Sequence, residues 1–258
     1  MSSIPSYSFV DIHSHVLYGL DDGARTLEDS LALLEMAVSG GTTDIVGTPH
    51  SDLTYKFQPD VIRERLVELN GALGGRIRLH HGCDFNLHFD NIQDCLSHPT
   101  RYTINHHRYL LVEFDNYQIP KTLDEVLARM VRLDITPIIT HPERNPLLRQ
   151  QMDDITKWVR AGCLVQVTAQ SFLDRFGKDA RKAADDLMQR RLVHFVASDA
   201  HDIRNRTPLL AEAFAYVVDG YGDVRARALF ESNPRATLTG RYLEVEDPVE
   251  PKKKRWFW

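Results

Sequence analysis

Histidine and carboxylate side chains recur along this sequence at the ends of short apolar segments. His13 and His15 end the segment FVDIHSH, and side chains two positions apart on an extended chain point to the same face. Later apolar segments end in further residues of these types: His50, Asp84, Glu113, His141, Asp199 and His201. Asp21 and Asp22 lie in the segment that follows His15. One such residue alone is typical of a helix cap or an ion pair. So many at the ends of apolar segments predict a bound cation, because buried charge must be compensated.

The predicted ligands are imidazole nitrogens and carboxylate oxygens, without an obvious thiolate. This set suits Mn, Fe, Zn or Mg, and it differs from the cysteine-rich set of a structural zinc site. Eight or nine ligands exceed the need of one ion, so we expect two or three ions with bridging carboxylates. Such clusters stabilise both the attacking and the leaving oxygen of a displacement at phosphorus. The residues therefore predict hydrolysis of a phosphate ester.

Alternating strands and helices must position these side chains. Short apolar segments predict strands at residues 9–13, 44–48, 77–81, 109–114, 136–140, 164–168 and 193–197. Segments with helical spacing fall between them, at residues 27–39, 61–69, 123–133, 155–161 and 180–190. Thr26 with Asp29 and Thr122 with Glu125 have the spacing of capping boxes. At least six of the predicted strands have a ligand at the carboxyl end, and these ends would form one rim of the fold. This arrangement favours a closed parallel barrel over an open doubly wound sheet.

Length and composition indicate a globular chain. Of 258 residues, 43% are hydrophobic and 26% are charged, as in ordinary folded domains. The net charge of −5 gives no general attraction for nucleic acid, and three cysteines are too few for a disulfide framework. The N-terminal segment has no signal-peptide pattern, and no apolar run reaches membrane-spanning length. We therefore expect a cytoplasmic protein.

The motifs together resemble the polymerase and histidinol phosphatase (PHP) family. Within it, the segments DIHSHVLYGLDDGA, VGTPH, LVEF, THPERN and FVASDAH look like those of the bacterial PHP-type protein-tyrosine phosphatases. The resemblance covers residues 8–240 and implies a distorted (β/α)7 barrel, which agrees with the strand count. It also implies a metal-dependent phosphatase that acts on phosphotyrosine of a membrane-associated bacterial tyrosine kinase and regulates capsule or exopolysaccharide synthesis. We expect one catalytic domain over residues 1–245.

The resemblance also implies roles for individual residues. It gives three groups of metal ligands: His13, His15 and Asp199; Asp84, Glu113 and His141; and Asp22, His50 and His201. Asp84 would bridge two ions, although the family usually has Glu at this position. Arg144 and Arg206 would bind the substrate phosphate, for which a planar guanidinium suits better than lysine. The implied cofactors are two or three divalent ions, with Mn²⁺ favoured and Fe, Zn, Mg or Co as alternatives. Asp21 competes with Asp22 for the third ion.

Other functions remain open from the sequence. Cys95 and Arg101 have the C-x5-R spacing of cysteine-dependent tyrosine phosphatases. Pro99 removes an amide donor from that segment, however, and no glycine permits a tight phosphate cradle, so we expect Cys95 to be structural. A small-molecule phosphoesterase, such as a histidinol-phosphate or nucleotide phosphatase, would have the same ligands. A PHP-like binding module without turnover is a further alternative, against which the complete ligand set argues.

The C-terminal residues 246–258 differ in composition from the rest of the chain. Four consecutive basic residues precede Trp256, Phe257 and Trp258. A solvated, disordered end is one interpretation. The other is weak contact with an anionic membrane surface, or docking to a membrane-resident kinase, which would make the protein peripheral at the inner face of the membrane. The sequence leaves the oligomeric state open.

Overall fold

A computed structural model describes residues 7–250 of the protein. Its strands are β1 Phe9–Ser14, β2 Thr42–Gly47, β3 His50–Ser51, β4 Arg78–His81, β5 Asp84–Asn86, β6 Tyr109–Glu113, β7 Thr136–Thr140, β8 Leu164–Thr168 and β9 Phe195–Ala197. Its α-helices are α1 Leu27–Ser39, α2 Pro59–Leu73, α3 Phe89–Ser97, α4 Leu123–Arg132, α5 Met152–Arg160, α6 Lys178–Gln189, α7 Ala211–Tyr221, α8 Asp223–Arg227 and α9 Asn233–Thr237.

The strands form a parallel barrel with seven positions. β1, β2 and β4 make one sheet, and β3, β5, β6, β7, β8 and β9 make the other, with every pair parallel. β3 continues the course of β2 and β5 continues that of β4, because β2 pairs with β4 and β3 pairs with β5. A bridge between Ser14 and Ala200 joins the end of β1 to the chain just after β9. The protein is thus a distorted (β/α)7 barrel, as predicted.

The two interrupted strands explain the distortion. Pro49 lies between β2 and β3, and proline has no N–H for a continuous ladder. Gly82 lies between β4 and β5, and a Cβ atom there would come within 2.6 Å of a methyl carbon of Val46. The strands therefore approach each other at Gly82 more closely than any side chain would allow. The second half of each interrupted strand begins with a predicted ligand, His50 or Asp84.

The predicted elements are confirmed, with small changes at their ends. All seven predicted strands and all five predicted helices are present. The Thr26 capping box is also confirmed, since the Asp29 N–H donates to Thr26 Oγ1 and the Thr26 N–H donates to the Asp29 carboxylate. The predicted box at Thr122 is wrong. Its backbone, at φ −86° and ψ 4°, is not extended, and its side chain accepts no capping hydrogen bond.

Hydrophobic packing fills the barrel and holds the helices against it. Tyr109 and Leu111 of β6 join Ile138 and Phe195 in one buried cluster, whereas the alternate residues Leu110 and Val112 belong to a larger cluster with the surrounding helices. This alternation follows from the two-residue period of a strand. Within residues 7–250, no helix has both the length and the apolar character to cross a membrane.

Candidate metal centre

All nine predicted metal ligands meet at the carboxyl ends of the strands. Their ligand atoms form four overlapping groups, within each of which the atoms lie no more than 4.8 Å apart. The groups are His15, Asp22, His50 and His201; His13, His15 and Asp84; His13, His141 and Asp199; and His50, Asp84 and Glu113. The barrel therefore brings together every predicted ligand. The division among individual ions that the family resemblance implies stays a prediction, because the groups share members.

The backbone at two of these residues adopts an unusual conformation. His141 follows β7 with φ 35°, and Asp199 follows β9 with φ 53°. Non-glycine residues seldom adopt positive φ angles, and such strained positions cluster at functional sites. In β1 the register against β2 shifts between Asp11 and Ser14, an irregularity of the kind that redirects side chains. This irregularity lies at His13. The Nε2 atoms of His13 and His15 are 3.4 Å apart, so both face the same site.

Two further residues orient the first histidine pair. His13 Nδ1 lies 3.0 Å from Gln166 Oε1, and His15 Nδ1 lies 2.6 Å from Asp21 Oδ2. An oxygen acceptor at Nδ1 favours the proton on that nitrogen and leaves the Nε2 lone pair free for a ligand. Asp21 thus contacts the Nδ1 side of the His15 ring, whereas Asp22 lies next to His50 and His201 in a ligand group. The sequence did not identify Gln166, although a polar residue inside the buried strand LVQVT is a signal.

Asp84 is the most deeply buried carboxylate of the cluster. It has no exposed surface, and neither oxygen accepts a hydrogen bond. Oδ2 lies 3.3 Å from both His13 Nε2 and His50 Nδ1. His50 Nδ1 and His201 Nε2 are also buried without hydrogen-bond partners. Buried carboxylate oxygens and imidazole nitrogens without partners fit a divalent cation, which would satisfy both.

The charges in the cluster shift one another's pKa values strongly. Burial would lower the pKa of His13, but Asp84 and Asp199 outweigh it and raise the pKa to about 9. Burial opposes a similar shift at His50, whose contacts with Asp22 and Asp84 raise its pKa to about 12. Burial and the neighbouring Asp84 raise the pKa of Glu113 to about 7. The carboxylates thus favour protons on the imidazoles of His13 and His50, and a divalent cation would displace these protons.

Both predicted phosphate-binding arginines reach the cluster. Arg144 and Arg206 each contact Asp199 Oδ2, with Arg206 Nη2 at 2.5 Å. Arg144 also lies over the ring of Phe176, with its guanidinium carbon 4.2 Å from the centroid. Their side chains remain 22% and 26% exposed, so both guanidinium groups stand at the edge of the cluster. This position is consistent with the predicted phosphate-binding role.

The cysteine alternative does not fit the structure. Cys95 is fully buried in α3, and burial raises the pKa of its thiol to about 12. A nucleophilic cysteine needs a lowered pKa and access to substrate. Arg101, the other member of the C-x5-R pattern, pairs with Asp94 at 3.0 Å. Cys95 is therefore a structural residue.

A family model for capsular polysaccharide synthesis proteins, CpsB/CapC, matches residues 9–239. The chain belongs to the CpsB/CapC family. All nine predicted ligands and both arginines lie within the matched residues. CapC of Staphylococcus aureus is 33% identical over 96% of this chain and 98% of its own length. Tyrosine-protein phosphatase CpsB of Streptococcus agalactiae is 30% identical over 91% of this chain and 100% of its own length.

A solved CpsB/CapC structure has the same architecture. It comes from crystal structures of YwqE from Bacillus subtilis and CpsB from Streptococcus pneumoniae, described as metal-dependent tyrosine phosphatases. Its chain is 28% identical and superposes with a TM-score of 0.87, covering 95% of this chain and 100% of its own. The CpsB/CapC fold is therefore shared over nearly the whole of both chains.

Proposed function

We propose that this member of the CpsB/CapC family is a metal-dependent protein-tyrosine phosphatase, a phosphoric monoester hydrolase that acts in capsule or exopolysaccharide synthesis. The observation that carries the proposal is the Asp84 carboxylate, which is fully buried, accepts no hydrogen bond and is shared by two of the four ligand groups. Such a carboxylate needs a cation, and its double membership fits more than one ion. Relatives named as tyrosine phosphatases support the choice of phosphotyrosine as substrate.

Two or three divalent ions would be held by the nine clustered residues. The proposed ligands are His13, His15, Asp22, His50, Asp84, Glu113, His141, Asp199 and His201. The mixture of imidazole and carboxylate ligands favours Mn²⁺, with Fe, Zn, Mg or Co as alternatives. When bound, such ions supply Lewis-acid stabilisation of phosphoryl oxygens and lower the pKa of water.

The protein's own side chains perform the remaining tasks. Arg144 and Arg206 would donate hydrogen bonds to the non-bridging oxygens of the substrate phosphate, for which their planar forks are suited. Both guanidinium groups contact Asp199. When a phosphate binds at the edge of the cluster, they would replace this carboxylate contact with a contact to a phosphoryl oxygen. Asp21 and Gln166 would keep the imidazoles of His15 and His13 in one orientation.

The substrate would be a phosphotyrosine on a membrane-associated bacterial tyrosine kinase, with the enzyme cytoplasmic or peripheral at the inner face of the membrane. The names of the relatives support a phosphotyrosine protein and a link to the capsule. A small-molecule phosphoesterase would have the same ligands, and no feature of the cluster favours it. The complete set of ligands argues against a binding module without turnover.

Chelation tests the proposed mechanism. We expect a chelator to abolish release of phosphate from a phosphotyrosyl peptide, and Mn²⁺ to restore it. The same assay with histidinol phosphate and with mononucleotides compares the alternative substrates. The Cys95→Ser variant should keep wild-type activity, since its thiol is buried away from the cluster. An active chelated enzyme together with an inactive Cys95→Ser variant would overturn the proposal.

A further inference from the structure

We propose that Tyr55 is the residue by which the site selects aryl phosphates: its ring packs against the phenyl ring of phosphotyrosine. The inference rests on the proposed function and names the feature of the substrate that is recognised besides the phosphate.

Tyr55 lies beside the most exposed part of the ligand cluster. Its ring centroid is 6.1 Å from that of the His50 imidazole, and the two planes differ by only 17°. Asp22 is 50% exposed and His50 is 15% exposed, whereas Asp84 is fully buried. A phosphate ester that reaches the cluster from this side would pass Asp22 and His50. The phenyl ring of that ester would then lie alongside the Tyr55 ring, next to the His50 imidazole.

A compact turn fixes Tyr55 in that position. The carboxylate of Asp52 accepts the N–H groups of Thr54 at 2.6 Å and Tyr55 at 2.7 Å. The Asp52 N–H in turn donates to the Tyr55 carbonyl at 2.9 Å. The turn directly follows β3, which His50 begins. Because the backbone is already ordered, binding a substrate ring here would cost little conformational entropy.

The ring has no evident role in folding. Tyr55 is only partly buried and belongs to none of the three hydrophobic clusters of the described residues. Aromatic pairs prefer offset-stacked or edge-to-face contacts, which stabilise a complex beyond the area that they bury. A serine or threonine phosphate offers no ring for such a contact. Tyr55 would therefore favour phosphotyrosine without touching the reacting atoms.

The test compares ligands with and without a ring. We expect Tyr55→Ala to raise the KM for a phosphotyrosyl peptide about 3- to 10-fold, the size of an aromatic contact, with little change in kcat. The Kd for a peptide that contains phosphonomethylphenylalanine, a non-hydrolysable analogue, should rise by the same factor in calorimetry. The inhibition constant of inorganic phosphate and the metal content should stay at wild-type values. Tyr55→Phe, which keeps the ring, should restore KM and Kd.

Tyr242→Ala serves as the control. Tyr242 is 70% exposed and contacts Arg108 and Asp134, away from the ligand cluster, so its removal should leave KM unchanged. Unchanged KM and Kd in Tyr55→Ala would overturn the inference. An equal rise in the phosphate inhibition constant, or a loss of metal, would also overturn it, because Tyr55 would then act by supporting His50. If the wild-type enzyme does not hydrolyse the phosphotyrosyl peptide, the proposed function itself fails.

Discussion

At the scale of single residues, the cluster depends on how each carboxylate is satisfied. Asp21 accepts N–H groups from Gly23 and His50 and contacts the His15 ring, so its charge is already compensated within the protein. Asp84 has no such donors. The Asp21 charge is thus balanced within the protein, whereas we expect a cation to balance the charge of Asp84. The interruption between β4 and β5 places the Asp84 side chain among the ligands, 3.3 Å from both His13 and His50.

Asp84→Ala should remove the carboxylate that two ligand groups share. We expect loss of bound metal and a fall in rate of at least about 10²-fold, the upper end of the range for weakening a metal site. Metal analysis of the purified variant alongside phosphotyrosyl peptide turnover is the measurement. Asp90→Ala, in the exposed first turn of α3, is the control and should keep both properties. Full metal content with normal turnover in Asp84→Ala would show that Asp84 is not a bridge.

Arg206→Lys should keep a positive charge but lose the planar fork. We expect weaker binding of substrate and inorganic phosphate, with metal content intact, because lysine cannot form the bidentate contact. Steady-state kinetics and phosphate inhibition measure the effect. Arg204→Lys, two residues earlier on the exposed side of the same loop, should behave like the wild type. Wild-type KM and kcat in Arg206→Lys would assign Arg206 to a structural ion pair with Asp199.

At the scale of elements, the loop between β1 and α1 controls one side of the cluster. It folds back on His15, which directly follows the first strand, since the Ala24 N–H donates to the His15 carbonyl at 3.1 Å. A Cβ atom at Gly23 would lie 2.2 Å from that carbonyl oxygen and 2.5 Å from the His15 Cβ. Only glycine therefore allows the approach that carries Asp21 and Asp22 to their positions.

Gly23→Ala should push this loop away from His15. We expect a fall in activity or metal affinity of about 10- to 100-fold, as for loss of a residue that orients a ligand, together with lower stability. Phosphatase assays, metal titration and thermal unfolding follow the change. Gly71→Ala is the matched control, because a Cβ atom there meets nothing within 4 Å and the residue lies inside α2. It should leave activity unchanged and gain stability of up to about 1 kcal/mol. Wild-type behaviour of Gly23→Ala would refute this account of the loop.

At the scale of the whole molecule, the chain after α9 runs across the end of the barrel opposite the cluster. Tyr109, which begins β6, donates its hydroxyl to the Arg241 carbonyl at 2.7 Å, whereas the ligand Glu113 ends the same strand. The Val249 N–H donates to the carbonyl of Arg190 at 3.0 Å, and Arg190 lies in the segment that leads into β9. Contacts thus continue past residue 245, the predicted boundary of the catalytic domain. The boundary and the separate role of residues 246–258 stay predictions.

Removal of residues 252–258, which lie outside the described residues, should not alter hydrolysis of a small aryl phosphate. The preceding residues lie at the far end of the barrel, and no predicted site residue falls in the deleted segment. Each of its four cations would contribute about 1 kcal/mol near an anionic leaflet, screened by salt. We therefore expect the truncated protein to bind anionic vesicles less well at low salt. Co-sedimentation at low and high salt measures this. Equal sedimentation of the two proteins at low salt would exclude lipid binding.

The sequence by itself determined the strands, most of the helices and the types of the ligands. Apolar periodicity and the residues at segment ends are local properties, so they can be recognised without knowing the fold. It did not determine which atoms meet. Gln166 of β8 lies 153 positions from His13 of β1 and reaches it because the barrel closes, and Arg144 lies 55 positions from Asp199, which it contacts from the end of β7. Even the local prediction at Thr122 was wrong, since the backbone there is not extended. The tertiary structure alone decided these contacts, because they depend on strand register and closure, which link residues far apart in the chain.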